Sequence, residues 1–166
     1  MIGKRIYLRK LRVEDASQEY CNWLNDFEVN RFLSTKKITI KEIKNYLEEQ
    51  LNKEDALFVG IFDKFNNKHI GNIKLEPIDY KNKIATLGIL IGNKNYWGKG
   101  IGKEAVKLII DYSFKVLKLK KIDLSVIIDN QRAIRLYKSV GFKVLNYYKC
   151  LIKHTDKVKM ELVHSN

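Results

Sequence analysis

Apolar residues recur at two different periods along this chain, and the switches between them mark out the elements. Residues 5–12, RIYLRKLR, alternate Ile6 and Leu8 with charged neighbours, the two-residue period of a half-buried strand. Over 13–26 the spacing of Ala16, Tyr20, Trp23 and Leu24 becomes helical, and Glu14 and Asp15 stand where acids favour a helix start. Residues 26–39 read as a polar and aromatic connection with a short helical turn that carries Val29, Phe32 and Leu33 inward. A second helix is predicted over about 39–53. Thr39 is its N-cap, Glu42 completes a capping box, and Ile40, Ile43, Tyr46, Leu47 and Leu51 form the apolar stripe.

Three strands then follow in succession, 56–63, 69–78 and 83–92. The asparagines of KFNNK suit the first turn, and Pro77, the only proline, is expected to close the second strand. A helix over 101–117 places Ile101, Ala105, Leu108, Ile109, Tyr112 and Val116 on one face, with Glu104, Lys107, Asp111 and Lys115 opposite. A strand at 121–128, a helix at 130–141 ended by Gly141, and two closing strands in 142–153 and 157–163 complete the chain. The order β-α-α-β-β-β-α-β-α-β-β predicts an α+β fold. It is a mixed sheet of about seven strands with about four helices, forming a single domain over 1–166.

Composition narrows the function classes. The 45% apolar and 31% charged fractions fit a folded, soluble chain, and no apolar run approaches membrane-span length. The N-terminus lacks the apolar core of a secretory signal, and Cys21 and Cys150 fit no ligand spacing, so a cytoplasmic protein with buried free thiols is expected. His69, His154 and His164 are scattered, and no metal site is expected. The net charge of +13 points to an anionic partner, but 26 of the 32 basic residues are lysines in a chain rich in Ile and Asn, which weakens that signal.

The chemistry concentrates in NYWGKGIGKEA, residues 95–105, where Gly98, Gly100 and Gly102 account for three of nine glycines. The loop joins a strand to a helix start, where unpaired N–H groups and the helix dipole favour a phosphate, with Lys99 and Lys103 beside it. A Walker loop does not fit GKGIGKE, and in a dinucleotide fingerprint the third glycine would come one residue later than Gly102.

WGKGIG resembles the Q/R-x-x-G-x-G/A signature of the GNAT N-acetyltransferase superfamily, with Trp97 at the Q/R position. NQRAIRLYKSVGF is similar to that family's N-x-x-A-x-x-x-Y-x-x-x-G-F segment. The likeness is to the branch of ribosomal-protein N-terminal, spermidine and amino-sugar-nucleotide acetyltransferases. It implies acetyl-CoA as co-substrate, with pyrophosphate on Trp97, Gly98, Lys99, Gly100, Ile101, Gly102 and Lys103, and pantetheine along the backbone of Ile89, Leu90 and Ile91. It also implies that Tyr137 protonates the leaving thiolate, that Asn130 meets CoA or caps a helix, and that Lys138 reaches the CoA phosphates. Around the acceptor, Trp23, Arg31, Phe32 and Tyr147 or Tyr148 are expected to shape the pocket, and Arg31 is read either as pairing with an anionic group on the acceptor or as a surface arginine. Thr86 stands where relatives often carry a glutamate, and Glu76 is a candidate base.

The function expected from this resemblance is acetyl transfer from acetyl-CoA to a primary amine by direct attack on the thioester. A nucleotide-linked amino sugar ranks first as acceptor, ahead of a protein N-terminus or a polyamine. A non-catalytic CoA-binding module is the alternative of another class. No nucleic-acid or membrane partner is expected, and a homodimer is plausible on the resemblance.

Overall fold

A computed structural model of the chain describes residues 1–33, 37–150 and 155–164. Seven strands form one sheet in the order β1-β2-β3-β4-β5-β7-β6. They are β1 (Ile6–Lys10), β2 (Leu57–Asp63), β3 (His69–Asp79), β4 (Ile84–Ile91), β5 (Lys121–Ile127), β6 (Lys143–Cys150) and β7 (Thr155–Val163). Every neighbouring pair is antiparallel except β4 and β5. The helices are α1 (Gln18–Asn25), α2 (Phe27–Asn30), α3 (Ile40–Leu51), α4 (Ile101–Lys115) and α5 (Gln131–Lys138). The expected α+β architecture and element order hold, with α2 standing as its own short helix. Residues 34–36, and 151–153 of the predicted sixth strand, lie outside the described residues, as does the Cys150 side chain.

The two faces of the sheet carry separate cores. Successive β2 residues make the point: Val59 packs with Ile73, Ala105, Ile109 and Leu124, whereas Phe58 packs with Tyr20, Trp23, Ile43 and Leu47. Helices α4 and α5 therefore cover one face, and α1 and α3 cover the other. Cys21 is buried and free in the second core. No helix among the described residues is long and apolar enough to cross a membrane.

Four local departures from the sequence pattern have physical causes. The first helix begins at Gln18 rather than Val13, because the Asp15 carboxylate caps a 3-10 turn over Val13–Asp15. That carboxylate takes bonds from Arg9 at 2.7 and 2.8 Å and from the Arg12 N–H at 2.7 Å, and Ser17 then caps α1. Strand β3 runs past Pro77 to Asp79, since the register shifts between Leu75 and Ile78 and a proline needs no ladder N–H there. In α4, Val106 and Ser113 are buried while Val116 is exposed beyond the helix end. Glu104, expected toward solvent, instead pairs with Arg5 at 2.9 Å. The α3 capping box forms as expected between Thr39 and Glu42.

Candidate active site

Strands β4 and β5 run side by side for only three residues, Ile84 to Thr86 against Lys121 to Asp123. Beyond Thr86 they splay, because β4 continues to pair with β3 through Ile91 while β5 stays with β7. From Leu87 onward the β5-facing edge of β4 has no strand partner among the described residues. A cleft of about 550 Å³ occupies this split and passes through the sheet. On one side it reaches Asn130, Ala133 and Tyr137 of the α5 region, and on the other Tyr20, Phe32, Tyr46 and Phe58.

At the wide end of the split, the chain turns into α4 through the glycine loop. Gly98 and Gly100 have φ of +75° and +76°, the left-handed region where a side chain would be strained. Gly100 is the N-cap of α4 and provides no side-chain cap. Among the described residues nothing accepts from the N–H groups of Gly98 through Lys103, so six donors face outward in a row. Gly102 has a different task, since a Cβ there would lie 2.9 Å from Leu136 Cδ1 on α5. Ile101 is buried and offers only its backbone.

Side chains outside the loop hold it in shape. The Trp97 indole N–H donates to Ile91 O at 2.7 Å, tying the loop to the end of β4. The Arg5 guanidinium donates to Lys99 O at 2.6 Å while its Nε pairs with Glu104. Lys99 and Lys103 are exposed, and the Arg132 guanidinium lies 5.1 Å from the Trp97 ring centroid. Loop donors and cations together suit a pyrophosphate-bearing co-substrate. Arg5 and Arg132 were absent from the sequence expectation. Arg132 is one residue from the expected motif positions, but Arg5 lies 94 residues from the carbonyl it holds.

Tyr137 lies on the buried face of α5, 6% exposed, with its ring 5.6 Å from that of Phe142. Its hydroxyl opens on the cleft and makes no hydrogen bond to the described residues. Burial pushes this phenol well above its ordinary pKa, so it carries its proton throughout the neutral range. Asn130 serves two ends at once: its Oδ1 caps α5 by accepting from Ala133 N at 3.1 Å, and the residue lines the cleft. Ile89 and Leu90 line the cleft, and Ile91 supplies the carbonyl for Trp97. Lys138 is exposed in the last turn of α5 and does not line it.

The residues expected around the acceptor are dispersed. Phe32 lines the cleft. Trp23 does not: it is buried in the second core, its ring 5.1 Å from that of His69, and any side chain at Gly92 would run into it. Arg31 is exposed outside the lining, its guanidinium 4.5 Å from the Phe32 ring centroid. Thr86 sits on the last paired rung and donates to Asp123 Oδ1 at 2.7 Å. Tyr147 is largely exposed on β6, and the Tyr148 hydroxyl donates to Ser125 Oγ at 2.8 Å.

In their place the structure brings forward Tyr20, Tyr46, Asn72, Lys74 and Lys157, all lining the cleft. Asn72 is buried between Gly71 and Ile73 in β3. His69 Nε2 meets two acceptors, Gly71 O at 3.0 Å and Asn72 Oδ1 at 2.8 Å, which assigns the proton to that nitrogen. Burial lowers the His69 pKa and keeps the ring neutral, and Asn72 and Tyr20 both line the cleft. Lys74 reaches Glu76 at 2.6 Å. Burial alone would raise the Glu76 carboxyl, but Lys53 and Lys74 overcome it and hold its pKa at about 2.

A split parallel pair, a donor-rich glycine loop and a tyrosine opening on the cleft are the parts of an acyl transferase using a phosphorylated carrier. Residues 5–143 match the model of the GNAT acetyltransferase domain, and the chain belongs to that family, whose members are acyltransferases that use acetyl-CoA. Over 164 residues it is 31% identical to the uncharacterized N-acetyltransferase p20 of Bacillus licheniformis, covering 96% of this chain and 89% of that one. The spermidine N(1)-acetyltransferase of Escherichia coli K12 is 39% identical over 74 residues, 45% of this chain and 39% of that enzyme. The structure of spermidine N-acetyltransferase from Vibrio cholerae, in complex with CoA and spermine, superposes with a TM-score of 0.86. That alignment covers 96% of this chain and 95% of that one at 22% identity, a likeness of fold.

Proposed function

We propose that this N-acetyltransferase moves an acetyl group from acetyl-CoA to a small primary amine, with Tyr137 as the general acid. The observation that carries the reading is Tyr137, a buried residue whose hydroxyl makes no hydrogen bond to the described residues, in the same cleft as the unpaired edge of β4. Bound acetyl-CoA supplies an activated acetyl thioester. The N–H groups of Gly98 through Lys103 receive its phosphates, aided by Lys99, Lys103 and Arg132. A backbone N–H from Ile89–Ile91 stabilises the negative charge that develops on the carbonyl oxygen, a contribution of roughly 3 kcal/mol for one preorganised donor. As the amine nitrogen bonds to the carbonyl carbon and the C–S bond breaks, Tyr137, held protonated by burial, gives its proton to the departing sulfur, and the proton shed by the acylated nitrogen passes to solvent through the open cleft and restores the phenol.

Glu76 is a poor base, since a carboxylate with a pKa of about 2 has almost no affinity for a proton at neutral pH. The cleft favours the free amine by another route. Apolar surroundings and the charge of Lys157 disfavour an ammonium, so the acceptor arrives as its free base.

Three acceptor classes remain in view: a nucleotide-linked amino sugar, a protein N-terminus and a polyamine. The spermidine-acetylating relatives support the last. The anion-pairing role expected of Arg31 finds no support, because Arg31 stands off the cleft. A homodimer would form along the β6 edge, where Leu145, Tyr147 and Tyr148 are exposed.

Calorimetry with acetyl-CoA, CoA and ATP tests the co-substrate reading. Micromolar acetyl-CoA and CoA binding with much weaker ATP binding is expected. Absence of acetyl-CoA binding would leave the glycine loop without its assigned role and remove the reading.

A further inference from the structure

The charges of the cleft select among acceptors. Its charged lining residues are Lys74 and Lys157, with no carboxylate among them. Of the carboxylates on that face of the sheet, Glu76, Asp123 and Glu161 are each already matched to a cation, and Asp79 accepts from the Asn82 N–H and amide and does not line the cleft. Glu76 is held by Lys53 at 2.7 Å and Lys74 at 2.6 Å. Asp123 accepts from Thr86 and lies 3.4 Å from Lys159, and Glu161 lies 3.5 Å from Lys121. Residues 34–36 and 151–154 contain no Asp or Glu in their sequence, STK and LIKH, so they bring no counter-charge. A polycation entering this cleft would lose hydration without gaining an unpaired carboxylate.

Lys157 is the lysine left over. Lys74 is neutralised by Glu76, whereas Lys157 forms no ion pair among the described residues. The register of the sheet says where it sits. Leu124 and Val126 of β5 pack with the α4 and α5 core, so Ser125 and Ile127 face the other side, and Lys157 pairs with Ile127. Lys157 is half-buried there, at the flank of the wall formed by Tyr20, Phe32, Tyr46 and Phe58. Aromatic faces take an uncharged ring or carbon body, and a lone lysine takes an anion.

Resting on the acetyltransferase reading, we infer that the acceptor is an anionic monoamine: one primary amine on an uncharged body that packs against the aromatic wall, with a phosphate or carboxylate paired to Lys157. Lys157 is the specificity-determining residue, and polyamines are excluded by charge.

The test uses the full chain saturated with CoA, titrated calorimetrically with glucosamine 1-phosphate, glucosamine, phenylalanine, phenethylamine and spermidine. The anionic member of at least one matched pair should bind about tenfold more tightly than its uncharged partner, with spermidine weakest of all. The sugar pair reads phosphate and the aromatic pair reads carboxylate, so the arm showing the advantage identifies the anion. Lys157→Met keeps the aliphatic stem and should abolish that advantage while changing the uncharged ligands by less than about twofold. Tighter binding of spermidine than of either anionic amine, an anionic advantage that survives Lys157→Met, or no anionic advantage in either pair would each overturn the inference. All three are read on protein already loaded with CoA, so they are distinct from a failure of the loop to bind its co-substrate.

Discussion

Along the open edge of β4 the wall of the cleft is backbone; where it meets α1–α3 its wall is side chains. The donor half consists of the open edge of β4 and the N–H groups of Gly98 through Lys103, fixed by Trp97 and Arg5. The acceptor half consists of Tyr20, Phe32, Tyr46 and Phe58, with Asn72 oriented by His69 and Lys74 neutralised by Glu76. Backbone donors cannot be altered by substitution except through the glycines that aim them, so the donor half tolerates little variation. Side chains can be exchanged one at a time on an unchanged sheet, so the acceptor half is free to vary. On the proposed function, a common co-substrate belongs to the first half and a particular acceptor to the second.

Tyr137→Phe should produce the largest effect and sharpen the division. The ring keeps its packing on Phe142 and only the proton source is lost. Turnover should fall by about 10² to 10³-fold, the usual size of a general-acid contribution, with acetyl-CoA affinity unchanged in calorimetry. Equal turnover in the variant would remove Tyr137 from the chemistry.

The same contrast explains what could be read from the chain alone. The donor half was legible because its demands fall on consecutive residues: two left-handed positions need Gly98 and Gly100, and the close approach of α5 needs Gly102. The element order was legible because each strand and helix keeps its own apolar period. The acceptor half was not legible, because it joins residues from α1, α3, β2, β3 and β7 that no local spacing connects. Trp23 shows the error this causes: an aromatic on a helix looks equally suited to a pocket or a core, and only the packing of Gly92 and His69 against it places it in the core. Arg31 and Lys157 differ in the same way, since Arg31 stands off the cleft and Lys157 lines it. Sequence could propose a cation for an anionic acceptor, but strand register was needed to bring Lys157 to the cleft.

Glu76→Gln should act on the acceptor half alone and through stability. The folded Glu76 pKa of about 2 lies below its ordinary value of 4.5, so its stabilising effect is fully present above about pH 4.5. That contribution is lost as the pH falls toward 2. The variant should therefore be less stable at pH 7, by roughly 1–3 kcal/mol, since it leaves Lys53 and Lys74 without their shared carboxylate. The gap from wild type should close as denaturation is followed toward pH 2. Acetyl-CoA affinity should not move. A stability difference independent of pH would show that the lysine pairing is not what Glu76 contributes.

Arg5→Ala gives the smallest expected effect and the most direct test of the donor half, because it touches the loop from outside. Its pairing with Glu104 is half exposed and contributes little to global stability, at most about 1 kcal/mol. Its bond to Lys99 O is different in kind, since it fixes one peptide in the middle of the row of outward N–H groups. Without it the loop must be ordered when the co-substrate binds, and that ordering weakens affinity. Acetyl-CoA should bind about three- to tenfold more weakly, while the acceptor KM and the unfolding temperature stay nearly constant. An unchanged acetyl-CoA affinity would mean that Trp97 and the glycines suffice to hold the loop. A shift in acceptor KM instead would break the division between the two halves, because Arg5 holds the loop at Lys99 O and does not line the cleft.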